Sequence, residues 1–374
     1  VIMEENWYQF KGIEHLDTPS LILYPERMLQ NIMVLKTMIS ADLIRPHVKT
    51  NKSVEVTKLM MQHGISKFKC ATIAEAEMVA NAKAADVLLA YQPTQAKLER
   101  FIKLIRRFPD TKFSCLVDNI ESAKMISDIA GKQECIISVY IDLNVGMNRT
   151  GIKPDLAFDV FMQLNSLSGI KFLGFHAYDG HIRDVDLSVR AEHCRTDFDP
   201  VERLRKKVQR ILHYLPLLIA GGSPTCVLHS RRENVECSPG TFIFWDKGYQ
   251  NTLPEQDFLF AALVITRVVS LPDESKICID LGYKSISSEN NLQHRVHFLN
   301  ATELKPFSQS EEHMVIEVGK GHSYQIGDVL YAVPVHICPT VAMYDQANIV
   351  LGDQLNTMWP INARGRESSI DQCT

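Results

Sequence analysis

Through the first two thirds of the chain, short apolar runs alternate with longer stretches of helical period. Runs of strand length, rich in Val, Ile, Leu and Phe, predict β-strands over 45–50, 68–73, 87–92, 113–118, 136–144, 172–179, 217–221 and 235–241. Around them, apolar positions recur every three to four residues over 26–39, 54–63, 74–82, 95–107, 120–129, 155–167 and 201–215, which predicts helices. Start signals sharpen several of these: Ser53 ahead of Val54, Thr72 with Glu75 three residues on, Pro93-Thr94 ahead of Gln95, and Asp118-Asn119 ahead of Ile120.

Roughly eight strands, each followed by a helix, is the count that closes a parallel barrel of about 200–250 residues. An open doubly wound sheet has the same alternation, but the strand ends favour the barrel. Lys49, Gln92, Asp142, His176, Tyr178 and Asp179 all fall at or just past carboxyl ends of strands, where barrel enzymes carry their chemistry. After about residue 245 the rhythm changes to strands over 259–270, 276–281, 294–299, 313–318 and 329–334, with turns such as Ile326-Gly327-Asp328 between them. The segment 7–13 is a candidate strand for the same β region. The expected fold is therefore α/β: a (β/α)8 TIM-type barrel over 19–245 and a C-terminal β-rich domain over 246–374, joined by the N-terminal segment 1–18.

Composition narrows the partners. The 374 residues carry a net charge of −4, with 45% hydrophobic and 22% charged side chains, an ordinary globular balance with no field for a polyanion. No nucleic acid is expected, and the basic run Arg203–Lys207 reads as a solvated helix face. No apolar run approaches the ~20 residues needed to span a bilayer, so no membrane partner is expected. Glu4, Glu5 and Asn6 are unlike a signal peptide. Nine cysteines, an odd number without a C-x-x-C pair, suit the reducing cytoplasm, most of them as small buried hydrophobes.

Five segments carry candidate chemistry. In Arg45-Pro46-His47-Val48-Lys49-Thr50, a lysine at the end of a β-branched strand would be desolvated and near other cations, which makes its amine nucleophilic toward an aldehyde. In Gly221-Gly222-Ser223-Pro224-Thr225, glycines after an apolar strand allow close backbone approach. Ser223 and Thr225 add hydroxyls and the next helix start adds N–H groups, a phosphate cradle. The loop Asp142-Leu143-Asn144-Val145-Gly146-Met147-Asn148-Arg149-Thr150-Gly151 offers Arg149 to an anionic oxygen. His176 and Tyr178, two apart on a strand, share one face and would flank a flat ring. Finally, His336-Ile337-Cys338 on an extended segment puts imidazole and thiolate on one side, a donor pair for zinc or a similar metal with positions left open. Each segment alone also has a plain structural reading.

Taken in chain order (the lysine strand, the 142–151 loop, the His176 and Tyr178 strand, the Gly221–Thr225 turn and the late His336-Ile337-Cys338), the five segments resemble the alanine-racemase-like class of pyridoxal-phosphate enzymes, and within it the branch of D-threonine aldolase and D-serine dehydratase. The resemblance runs from Asp17-Thr18-Pro19 to His336-Ile337-Cys338-Pro339-Thr340. It implies that Lys49 holds pyridoxal 5'-phosphate, that Arg149 faces its phenolic oxygen, that Tyr178 lies beside its ring, and that Gly222 and Ser223, with Thr225, hold its phosphate. His336 and Cys338 are implied to bind a divalent metal, with Cys338 pointing to a dehydratase and to zinc over manganese. Phe242 stands where the family's S/R-P-G-T-Y stretch has tyrosine, and Asn51 where relatives often carry histidine.

The implied activity is a metal-assisted lyase on D-3-hydroxy amino acids. The leading expectation is β-elimination in the manner of D-serine dehydratase, giving keto acid and ammonia. Retro-aldol cleavage to glycine and an aldehyde is the alternative, followed by a racemase or a non-catalytic pyridoxal-phosphate-binding barrel. The class also implies a homodimer.

Overall fold

A computed structural model describes residues 6–371, and the chain divides into two compact units. The first comprises Leu35–Lys49, Val56–Gly240 and Gly365–Thr374; the second comprises Val1–Val34, Thr50–Glu55 and Thr241–Arg364. Elements are numbered along the chain, beginning with β1 (Ser20–Leu23) and α1 (Pro25–Met38).

The first unit is a parallel sheet in sequential order: β2 (Lys67–Cys70), β3 (Asp86–Leu89), β4 (Lys112–Val117), β5 (Ile137–Leu143), β6 (Ile170–Ala177), β7 (Leu217–Ala220) and β8 (Val235–Cys237). Helices α2 (Val54–Gln62), α3 (Ile73–Asn81), α4 (Gln95–Arg107), α5 (Ile120–Lys132), α6 (Pro154–Leu164), α7 (Leu187–Leu212) and α8 (Cys226–His229) alternate with the strands. α4 shows why: Leu98, Phe101, Ile102 and Leu104 make one buried stripe on an otherwise charged helix. Caps act as the sequence indicates at two starts. Thr72 accepts from the N–H of Glu75, and Asn119 accepts from that of Ser122.

Seven strands leave a gap between β8 and β2, and the segment carrying Lys49 fills it. Ile44 bridges Cys237 and His47 bridges Lys69, both in parallel sense. Arg45 and His47 donate their N–H groups to the carbonyls of Cys237 and Pro239. On the other side Lys69 donates to Pro46 and Val48 donates to Lys69, at 2.9 Å in each case. Pro46 has no N–H to give, so this eighth position is an irregular strand rather than the regular one expected over 45–50.

Inside the curled sheet, Leu88, Leu116, Tyr140 and Ile219 form a buried layer. By register and alternation the same face carries Lys69, Asp142 and His176. Arg45, 1% exposed, ties the closing segment to two strands. Its Nε donates to Glu236 and its Nη1 to Asp86, each at 2.6 Å.

The helix expected over 201–215 is the second half of α7, which starts at Leu187. Pro200 stands just ahead of the expected start at residue 201. Here it sits mid-helix, and the buried face of Phe198, Val201, Leu204 and Val208 runs past it; packing outweighs the one lost backbone bond.

The second unit is a mostly antiparallel sheet ordered β12 (Pro306–Gln309), β13 (Met314–Glu317), β10 (Lys276–Ile279), β9 (Ala262–Asp273), β1, β15 (Gln346–Leu351) and β16 (Gln354–Pro360). Beside it, β14 (Val329–Pro334) pairs with both β9 and β11 (Val296–Phe298). The N-terminal strand of this unit is β1, parallel to β15, and not the expected 7–13, which contributes one isolated bridge from Lys11 to Gln354. Two short helices, α9 (Lys247–Thr252) and α10 (Ile337–Val341), complete it. No helix among the described residues is long and apolar enough to cross a membrane.

Candidate functional site

In the first unit, the side chains singled out in the sequence converge on Tyr178. The Arg149 guanidinium lies 4.9 Å from its ring centroid and the Lys49 amine 5.9 Å from it. Lys49 ends the closing segment, exposed, with its N–H donated to Nδ1 of His47. The desolvation expected of Lys49 falls instead on Lys69, a residue the sequence reading missed. Lys69 is 4% exposed, its amine 5.8 Å from the same ring centroid and 3.4 Å from Nε2 of His176. Burial first, then the charge of Lys49, bring its pKa down to about 7.

Beneath Tyr178, His176 is engaged at both nitrogens. Nδ1 lies 2.7 Å from Oδ1 of Asp142, a carboxylate that accepts a proton-bearing nitrogen, so Nε2 is left to accept from Lys69. Asp142 also accepts from Gln92 at 2.8 Å and from the Thr150 hydroxyl at 2.9 Å. Burial works against its charge, but these bonds, led by that of His176, hold its pKa below the usual carboxylate value. The Thr150 bond and the donation from Gly151 to Asp118 pin the loop that carries Arg149. Gly151 has φ +96°, and a Cβ there would lie 2.7 Å from backbone atoms of Leu143 and Asn144, so only glycine fits.

The turn at Gly221–Thr225 partly meets the cradle expectation. Ser223 and Thr225 are buried, but the N–H groups of Thr225 and Cys226 donate to the Gly222 carbonyl instead of standing open. α8 that follows is a single turn of four residues. Gly222 borders Tyr178: a Cβ there would stand 3.5 Å from the ring, filling space beside it.

Behind Tyr178, Asp179, Cys194 and His229 form a buried trio close enough to hold a cation. His229 Nε2 lies 2.8 Å from Asp179 and 3.2 Å from the Cys194 sulfur. Arg232, however, donates to its Nδ1 at 3.2 Å. A guanidinium only donates, so Nε2 carries the proton toward Asp179, and the neighbouring positive charge opposes a metal. Burial pushes the Cys194 thiol up to about 12, as a thiol and not a thiolate ligand. We read this trio as a brace for Asp179, the residue after Tyr178.

In the second unit, His336 and Cys338 are together, though not on an extended strand. His336 caps α10, and Cys338 lies in its first turn. The Cys338 sulfur is 3.1 Å from the Thr50 hydroxyl and 3.6 Å from that of Thr241. His336 Nδ1 contacts Glu289, a carboxylate that the sequence reading missed. Burial disfavours the imidazolium, but Cys338 and Glu289 outweigh it and raise the His336 pKa to about 9. Asp246, buried, receives the N–H of Ile337 and so fixes the start of α10.

The first unit is thus a curled parallel sheet with helices, closed by the segment that leads to Lys49. The chain belongs to the alanine racemase N-terminal domain family, which it matches over residues 24–247. Residues 261–350 match a putative serine dehydratase domain. Among curated relatives, D-threonine aldolase from an Arthrobacter species is 26% identical over 94% of each chain. D-threo-3-hydroxyaspartate dehydratase from Delftia is 24% identical, covering 92% of this chain and 97% of that one. The crystal structure of D-threonine aldolase from Filomicrobium marinum superposes with a TM-score of 0.85 at 22% identity, covering 95% of this chain and 98% of that one.

Proposed function

We propose that the protein is a pyridoxal-5'-phosphate-dependent, metal-assisted lyase of D-3-hydroxy amino acids, with dehydration in the manner of D-serine dehydratase as its reaction. The observation that carries this reading is the convergence of Lys49, Lys69 and Arg149 on Tyr178 at one end of the barrel. Two amines and a guanidinium fit a flat, phosphate-bearing aromatic aldehyde, and the Cβ-free space at Gly222 leaves room beside the ring. Its aldehyde would be held by Lys49, its phenolic oxygen by Arg149, its ring beside Tyr178, and its phosphate by Gly222, Ser223 and Thr225. His176 would hold the floor under the ring. His336 and Cys338 would hold the divalent cation, with Glu289 in contact; thiol and imidazole donors favour zinc over manganese.

When bound, the cofactor supplies an electron sink for the substrate's Cα, and the metal a Lewis acid for its β-hydroxyl. The chain's own residues do the rest. Displaced from the aldehyde by the substrate's own amine, the Lys49 amine would be free to take the Cα proton. Arg149, tied down through Thr150 and Gly151, stays charged and keeps an anionic oxygen in register. The relatives divide between aldolases and dehydratases, so cleavage to glycine and an aldehyde is the second reading. The presence of Cys338 at the metal pair supports the first. The division into a cofactor-carrying 19–245 and a metal-carrying 246–374, a homodimer and a cytoplasmic location belong to the same proposal. Light scattering of the purified chain tests the dimer.

The deciding assay supplies pyridoxal 5'-phosphate with zinc or manganese and offers D-serine, D-threonine and their L-forms, measuring keto acid and glycine separately. Keto acid from D-substrates, lost with chelator and in Lys49→Ala, is the expected result. Glycine plus aldehyde moves the reaction to aldolase. Neither product, with no cofactor absorbance on the protein, removes the Lys49 assignment.

A further inference from the structure

The Lys69 amine borders the proposed cofactor site but is given no step of its own above, and its surroundings are unusual. It is buried, yet among the described residues no carboxylate lies within ion-pair distance of it; its one close polar contact is His176 Nε2 at 3.4 Å. The charged groups that bear on it are Lys49, Asp179, Asp142 and Arg45, with His176 in contact and Arg149 near the same Tyr178 ring. Asp142 accepts from His176, Gln92 and Thr150, and Asp179 from His229; both carboxylates keep their charge, but neither comes within ion-pair distance of Lys69. Arg45 is matched by Glu236 and Asp86. The space around Tyr178 is therefore lined by three basic side chains, none of which has a carboxylate within ion-pair distance among the described residues.

We infer that the ligand completes this charge: an anionic group entering beside Tyr178 binds together with one proton, taken up at the Lys69–His176 pair. The inference rests on the reading of the Tyr178 site as a cofactor site, and gives Lys69 the part of a positioning residue that ties binding to pH. The sign follows from linkage. In the free protein Lys69 releases its proton near pH 7. An anion alongside favours the ammonium, so the bound form keeps the proton to higher pH. Below about 7 the amine is already charged and binding needs no uptake. Above it each binding event draws a proton from solution, and affinity falls with pH by up to about tenfold per unit.

The test measures the dissociation constant of pyridoxal 5'-phosphate from pH 6.5 to 9 by fluorescence quenching, for wild type, Lys69→Arg and Lys69→Met. It is repeated with pyridoxine 5'-phosphate, which lacks the aldehyde and cannot condense with Lys49. Ionisation of the ligand is common to all three proteins and cancels, and the second phosphate proton, near pH 6, lies below the decisive range. Wild type is expected to lose affinity above pH 7 more steeply than either variant. Lys69→Arg, permanently charged, should stay tight and flat, while Lys69→Met should be weak throughout. Parallel profiles in wild type and Lys69→Arg overturn the inference even if Lys69→Met fails to fold, which melting curves will reveal. No binding of either ligand by wild type sinks the cofactor reading itself, a separate outcome.

Discussion

Replacing Glu236 by glutamine removes a buried charge and leaves the shape of the side chain intact. Glu236 is the partner of Arg45 Nε, and it also pairs with Lys67. The Arg45 side chain is 1% exposed and that of Glu236 4%, so water cannot take over the lost contact. Removing one partner of a buried pair costs about 3–5 kcal/mol, because the other charge stays buried. Arg45 keeps Asp86 at 2.6 Å, which places the expected loss at the lower end, about 3 kcal/mol. At about 2–4 °C per kcal/mol for a unit of this size, the melting temperature should drop by about 6–12 °C.

Far-UV circular dichroism under urea or heat is the right probe, because Trp7, Trp245 and Trp359 all lie in the other unit. A double-mutant cycle decides the mechanism. In Arg45→Met with Glu236→Met both buried charges are gone, and Asp86 and Lys67, 25% and 33% exposed, are left partly solvated. The pair of changes should therefore cost at least about 1 kcal/mol less than the sum of the single ones. Additivity within about 0.5 kcal/mol would refute the claim that the Arg45–Glu236 charge pair fastens the Lys49 segment.

Three further outcomes follow from the same contacts. Asp142 has a folded pKa below its unfolded one, so the stability it gives is present above about pH 4 and lost as pH falls through the folded value. Asp142→Asn should flatten the acid limb of a plot of melting temperature against pH, and an unchanged limb would contradict it. At Gly180 a Cβ would fall within 2.5 Å of the Tyr178 ring; Gly180→Ala should weaken pyridoxal 5'-phosphate binding by roughly tenfold, the effect of about 1–3 kcal/mol of overpacking. Binding equal to wild type would mean that Tyr178 does not border the ligand. Metal analysis should find zinc lost from His336→Ala and Cys338→Ser but retained in Cys194→Ser; the reverse would move the metal to the Asp179, Cys194 and His229 trio.

Most of the architecture can be read in the sequence because its signals are local. Strands β2 to β8 and helix α4 follow from runs and stripes that each element buries on its own account. The failures share a cause: burial there is decided by partners far along the chain. The helix expected from residue 201 begins earlier, because the apolar face of α7 runs on through Pro200 from Leu187. β1 is only four residues, Ser20–Leu23, and owes its existence to β9 and β15, some 240 and 325 residues away in sequence. The pair His336 and Cys338 looks extended because Pro339 follows it, whereas Asp246 captures the Ile337 N–H and starts a helix between them.

Lys69 shows the same limit at the site itself. In Lys67-Phe68-Lys69-Cys70 the two lysines alternate with apolar residues, which is the pattern of a strand with one wet face. A closed barrel has no wet face on its inside. Lys67 escapes at the rim to Glu236, while Lys69, one pleat further, points to the interior beside His176. Only the closure of the sheet by residues 44–48 reveals that the second lysine is enclosed. Lys49 follows this closing segment in a turn, and its amine comes to 5.9 Å from the Tyr178 ring centroid, as near as the Lys69 amine at 5.8 Å. The charge of Lys49 opposes that of Lys69, and an anion beside the ring would relieve this opposition. The proposed negatively charged ligand thus follows from where the fold puts the second lysine, a position that the alternation of Lys67-Phe68-Lys69-Cys70 alone does not distinguish from a wet face.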